Sequence, residues 1–239
     1  MPTSLLKRPF FFLKAGGVFF FLSLFAYLTY LSTHPTLPSE QTPILFYSNQ
    51  TKDNLKILFS RAIQQAKHSI FLQIYGFTDL DLIRSLQVAK QQGKALDVFY
   101  DPKASLEIAL QMQEATPLSC QGLMHKKILI VDDEQVFLGS TNFTPTSLRM
   151  HDNIVLGLYQ KQLAEFLKHS LDPFLSFSIQ GQEAEFWHLP DFRKECLQRI
   201  LQSIQKAKHS IHLFLRHFRK NQMLTDTQRI ITAAVKILF

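Results

Sequence analysis

Between residues 55 and 171 the apolar positions repeat with two alternating periods, and that alternation predicts the architecture. In LKILFSRAIQQAK (55–67), Leu55, Leu58, Ala62 and Ala66 recur near helical spacing, which predicts an amphipathic helix. SIFLQIYGF (69–77), rich in isoleucine and aromatics, reads as a buried strand. Asp79 offers an N-cap to a helix over 79–92, and Gly93 ends it. ALDVFYD (95–101) is the next strand, stopped by Asp101 and Pro102. LMHKKILIV (123–131) and VFLGS (136–140) then form a hairpin about the turn DDEQ, and NIVLGLY (153–159) adds a strand. The amphipathic segment KQLAEFLKHSL (161–171) closes the unit. Helices alternating with strands predict an α/β fold, a mixed or parallel sheet with helices on its faces.

Two further patterns flank this unit. Residues 15–32 carry no charge and follow Lys7, Arg8 and Lys14, which predicts a transmembrane segment with a cytoplasmic N-terminus and the body outside the cytoplasm. A cleaved signal peptide, giving a secreted body, is the rival reading. The small residues of a cleavage site are hard to place there, since cutting after Ser32 leaves Tyr30 third from the cut, and an uncleaved anchor is favoured. Polar, proline-bearing residues 33–51 read as a linker. Downstream, RAIQQAKHSIFL (61–72) returns as QSIQKAKHSIHL (202–213), with AKHSI identical in both copies, which points to an internal duplication. A fainter echo pairs 77–83 with 224–230. The domains expected are 1–32 as anchor or signal, 33–51 as linker, 52–172 as one complete repeat, and 173–239 as a connection and partial second repeat.

Composition narrows the partners. The 239 residues carry 26 Lys and Arg against 19 Asp and Glu, a net charge of +7, which favours anionic partners such as nucleic acid or an acidic lipid surface. Cys120 and Cys196 are too far apart in sequence for a compact metal or redox motif. His68 and His209, in the two AKHSI stretches, fall at helix-to-strand joints and read as structural. Arg216, His217, Arg219 and Lys220 make a basic cluster that reads as a solvated face, and Trp187 reads as packing between repeats.

The hairpin MHKKILIVDDEQVFLGSTN (124–142) carries the candidate chemistry. His125 and Lys127 share a face of a strand whose next four residues, Ile128, Leu129, Ile130 and Val131, are all apolar. A histidine and a lysine leaving a buried strand together are costly unless they share an anion, and phosphate fits. Lysine supplies fixed positive charge, while imidazole can act as nucleophile or proton carrier near neutral pH. Ser140 and Asn142 follow two apart on the returning strand, as hydrogen-bond donors for phosphoryl oxygens, and Gly139 permits close backbone approach.

The complete pattern is His125-x-Lys127-x4-Asp132-x6-Gly139-Ser140-x-Asn142, and in it the chain resembles the phospholipase D superfamily. The resemblance covers roughly residues 52–172, and 192–239 as the opening of a second repeat. It implies a phospholipase D-like fold and phosphodiester hydrolysis or transfer through a phosphohistidine. His125 would attack phosphorus or protonate the leaving group. Lys127, Ser140 and Asn142 would bind phosphate, and Asp132 would be the structural aspartate at the turn. Asp152 would complete the catalytic set of His125, Lys127, Asp132 and Asp152, standing where the family often has a glutamate that bonds the imidazole. No metal or cofactor is implied. The substrate implied is a phospholipid at a membrane, with nucleic acid as the alternative. The chemistry needs two such motifs, and the second copy reaches residue 239 before its own motif would fall. A homodimer would complete the site. The remaining alternative is a truncated, inactive, membrane-tethered remnant.

Overall fold

In the first long helix of the unit that begins at Leu37, α1 (Leu55–Gln65), Asn54 caps the N-terminus by accepting the Ile57 N–H at 3.1 Å, and Leu55, Leu58, Phe59, Ala62 and Ile63 form one buried stripe. The computed structural model describes residues 18–27, 29–30, 34–105, 108–119, 124–149, 152–189 and 192–208. Strand β1 (Ile44–Ser48) precedes α1 and β2 (Ser69–Ile74) follows it, then α2 (Leu80–Gln91) and β3 (Ala95–Tyr100), which pairs parallel with β2. Asp79 caps α2 through the Asp81 and Leu82 N–H groups, and its buried carboxylate also meets Lys56 of α1 at 3.0 Å. That ion pair ties the two helices on one face of the sheet.

A short helix, α3 (Ile108–Gln111), leads to a two-residue edge strand, β4 (Thr116–Pro117). The expected hairpin is present as β5 (Lys127–Val131) and β6 (Gln135–Gly139). After α4 (Pro145–Arg149) come β7 (Ile154–Tyr159) and α5 (Lys161–His169). The main sheet is mixed and seven-stranded, in the order β1-β7-β6-β5-β2-β3-β4. β5 is its central strand, and every one of its side chains is buried. One face of the sheet, with Ile70, Leu72, Ile74, Leu129 and Phe137, packs beneath α1 and α2; Phe71, Ile128, Ile130 and Val136 pack on the other face with α5.

Four segments differ from expectation. Residues 33–51 are not all linker, because Ile44–Ser48 forms edge strand β1, antiparallel to β7 with Tyr47 buried. Its partner lies about a hundred residues away, so the nearby prolines dominate the local pattern. The strand over 69–77 ends at Ile74, where the chain bends through Tyr75 and Gly76, and that over 123–131 begins only at Lys127. Residues 174–187 form a second, two-stranded sheet, β8 (Phe174–Ile179) and β9 (Gln182–Trp187), whose Phe177 and Ile179 join the α5 core. Trp187 stacks on Phe174 within that hairpin, with ring centroids 4.6 Å apart.

Helix α6 (Arg193–Lys206) ends at Ala207 with φ −66° and ψ 126°, close to the −53° and 134° of Ala66 after α1. The second AKHSI from His209 onward, with the basic cluster at 216–220, lies outside the described residues, as does Cys120. Cys196 is buried in α6.

The described residues before Leu37 belong to a unit of their own, helical over 18–27 and 29–30, with Phe19, Phe20, Phe21 and Phe25 all exposed. The span expected over 15–32 lies partly outside the described residues, and among the described residues no helix is long and apolar enough to cross a membrane.

Candidate active site

Three backbone segments meet at one end of the main sheet. Strand β2 gives way to residues 75–77, β5 begins at Lys127, and β6 ends at Gly139. Cross-links join them: Tyr75 N–H donates to the Lys126 carbonyl at 3.0 Å, Phe143 N–H to Gly76 at 2.8 Å, and the Thr78 and Asp79 N–H groups to Phe143 at 2.9 Å. His125, Lys127 and Asn142 are brought together by this stitching.

Lys127 is 6% exposed, in keeping with the apolar run that follows it. Its ammonium donates to the His125 carbonyl at 3.0 Å and lies 5.4 Å from the centre of the Tyr75 ring. The same ring meets the His125 imidazole at 5.0 Å between centroids, inclined by 63°. Asn142 Oδ1 accepts the Gly76 N–H at 3.3 Å, and a side chain at 76 would press on Asn142. That bond orients the Asn142 amide so that its NH₂ is the end left for a ligand.

Gly139 does permit a close backbone approach, but to β7: a Cβ there would overlap the Ile154 carbonyl oxygen. Ser140 and Asn142 do not share a strand face, since β6 stops at Gly139, and their side chains bond to different segments, Ser140 to Asn153 and Asn142 to Gly76. The Ser140 hydroxyl donates to Asn153 Oδ1 at 2.9 Å and accepts the Ile154 N–H at 3.2 Å. Buried Asn153 donates to the Ser147 carbonyl at 2.6 Å, and Ser147 Oγ accepts the Asn142 N–H at 2.9 Å. The Gly-Ser-Thr-Asn loop is thus held from behind by Asn153 and Ser147.

Asp132 works at the opposite end of the hairpin. With Asp133 it forms the tight turn, at φ of 54° and 57°, a left-handed pair that aspartate tolerates better than most residues. Its carboxylate accepts the N–H groups of Lys67, His68 and Ser69 at 2.7–3.0 Å. Burial pushes its pKa up, but the N–H groups of Ser69, Lys67 and His68 outweigh that and hold it below the usual carboxylate range. Asp132 therefore clamps the first AKHSI joint and stands away from His125. Asp152 is exposed, and among the described residues its carboxylate makes no hydrogen bond to His125.

Tyr75, Ser147 and Asn153 were not singled out by the motif. Asn153 directly follows Asp152, so a faint signal was present; Tyr75 lies fifty residues upstream and is joined to the motif only by strand pairing. Among the described residues no group of three or more His, Cys, Asp or Glu stands where it could hold a metal ion.

Residues 59–173 match the family model for the phospholipase D-like (PLD-like) domain of cardiolipin synthase. The chain belongs to the phospholipase D superfamily. It is 27% identical over 110 residues to a phospholipase D of Rickettsia typhi, covering 43% of this chain and 54% of that protein. Against a cardiolipin synthase of Staphylococcus aureus it is 24% identical over 146 residues, covering 56% of this chain and 30% of that one. The chain thus spans about half the length, or less, of these curated relatives. Among solved structures, the superfamily member Nuc of Salmonella typhimurium aligns at 25% identity with a TM-score of 0.46, over 53% of this chain and 90% of Nuc. The residues matched by the family model, 59–173, include the hairpin, Tyr75 and Asn153.

Proposed function

We propose that this superfamily member is a phosphodiesterase whose attacking group is the His125 imidazole and whose substrate is a phospholipid. The observation that carries the reading is a nearly buried ammonium, Lys127, placed beside that imidazole by shared contacts with one ring. A fixed positive charge held next to an imidazole suits the binding of a phosphoryl anion there.

In the mechanism proposed, an imidazole nitrogen attacks phosphorus, a P–N bond forms, and the P–O bond to the leaving alcohol breaks. Lys127 and the Asn142 NH₂ neutralise and orient the non-bridging oxygens. The departing oxygen takes a proton from a second histidine; water then gives that proton back to the second histidine as it attacks phosphorus, a P–O bond forms, the P–N bond breaks, and His125 and the phosphoryl product are released. The second histidine would come from another copy of the chain in a homodimer. Ser140 would support the loop through Asn153, Asp132 would keep the hairpin in place, and Asp152 could reach the imidazole only after rearrangement.

The phospholipid reading draws on the exposed phenylalanines at 19–25, on the net charge of +7, and on the names of the matched relatives. An N-terminal membrane anchor with the body outside the cytoplasm belongs to the same proposal, as does a second repeat beginning at α6. The test is hydrolysis of phosphatidylglycerol vesicles by the purified full chain. Turnover that falls roughly a thousandfold or more in His125→Asn supports the reading. Equal turnover by both proteins overturns it, and an inactive wild type favours a non-enzymatic, surface-binding role.

A further inference from the structure

We infer that Tyr75 is a positioning residue of this site, holding the His125 imidazole and the Lys127 ammonium against one ring; the inference rests on the phosphodiesterase reading. The backbone at Tyr75 is fixed from two sides. Its N–H donates to the Lys126 carbonyl at 3.0 Å, and its carbonyl accepts the Ser105 hydroxyl at 2.9 Å. Ser105 is fully buried and also accepts the Phe77 N–H at 2.8 Å, so the bend after β2 is anchored to the interior. The bend also runs close to the Gly-Ser-Thr-Asn loop, since a Cβ at Gly76 would meet the Asn142 side chain at 3.2 Å.

From this fixed point the half-buried ring reaches both functional groups. Lys127 Nζ lies 5.4 Å from its centre, within the range at which an aromatic face attracts a cation. The imidazole of His125 packs at 5.0 Å and 63°, the inclined arrangement that aromatic pairs favour. An ammonium only 6% exposed gains most from such a face, because little water competes for it. Among the described residues the Tyr75 hydroxyl makes no hydrogen bond, so both contacts belong to the ring. Tyr75 thereby couples the two groups: a shift of the ring displaces the phosphate-binding cation and the attacking nitrogen together.

The ring origin of both contacts makes the inference testable by rescue. Tyr75→Phe keeps the aromatic face, whereas Tyr75→Leu and Tyr75→Met keep most of the volume and lose it. In the full chain, the His125 resonance is titrated by NMR, and inorganic phosphate affinity is read from the same spectra. Tyr75→Phe is expected to match the wild type within about twofold in phosphate affinity, with an unchanged His125 midpoint. The Leu and Met variants are expected to bind phosphate roughly fivefold or more weakly and to displace that midpoint. Leu and Met variants indistinguishable from Tyr75→Phe overturn the inference, as does a Phe variant as impaired as they are. The underlying reading fails separately: Lys127→Met binding phosphate as tightly as wild type contradicts the phosphate site whatever Tyr75 does. Where wild type shows no saturable phosphate binding, that reading falls, and the His125 midpoint alone decides the role of Tyr75.

Discussion

Lys127 and Asp132 stand five residues apart in one hairpin and illustrate opposite uses of a charged side chain. The Lys127 ammonium lies in the sheet with little water around it, a placement that favours function over stability. Lys127→Met should therefore leave thermal stability unchanged or raise it by up to about 2 kcal/mol, while phosphodiesterase turnover falls more than about a hundredfold. Chemical denaturation beside a turnover assay checks both. Asp132 is structural, and Asp132→Asn should cost about 2 kcal/mol by weakening its charge-assisted bonds to the 67–69 backbone. Because its folded pKa is depressed, this contribution is complete above the unfolded value near 4 and is lost as pH falls through the folded value. The stability gap between wild type and Asp132→Asn should narrow progressively below about pH 4. The two-residue spacing of His125 and Lys127 was legible in the sequence because strand periodicity is local. Ser140 was harder to read, because its role depends on β6 ending one residue earlier and on Asn153 arriving from another strand.

At the scale of elements, the β6–β7 pair and the β8–β9 hairpin are the informative cases. Gly139 lets the Ile154 carbonyl approach closely, and that approach also places Ser140 against Asn153. Gly139→Ala should separate the strands and cost about 2–3 kcal/mol, seen as a fall in Tm of roughly 5–10 °C. The hairpin packs His188 between Phe166 and Phe186, with ring centroids at 4.7 and 5.7 Å. Burial, and then the Lys126 charge, hold this imidazole below the usual histidine range. Its neutral form belongs to the folded state, so its contribution is whole above about pH 6.5 and is lost as pH falls through the folded value. Amide exchange over 174–187 should therefore accelerate below about pH 6.5 relative to His188→Phe measured at the same pH. The βαβ core was legible because each element there carries its own period. Strand β1 and this hairpin were not, since β1 is an edge strand within a polar, proline-bearing stretch and β8 shows only two of its six side chains fully buried.

For the whole molecule the question is where a second histidine comes from, since this hairpin supplies one. In the proposed mechanism a homodimer supplies it, with one motif from each copy. Turnover per chain should then fall on dilution through the dimer dissociation constant, in step with the mass seen by analytical ultracentrifugation. Turnover independent of concentration in a strictly monomeric protein would contradict the dimer. The central claim, attack by His125 on phosphorus, is tested most directly by mapping the covalent intermediate. During turnover of bis(p-nitrophenyl) phosphate, an alkaline denaturing quench followed by peptide mass spectrometry should place a p-nitrophenyl phosphoryl group on His125, and none on the His125→Asn protein. Continued turnover with the adduct on another residue, or with no phosphorylated protein at any quench time, would contradict it.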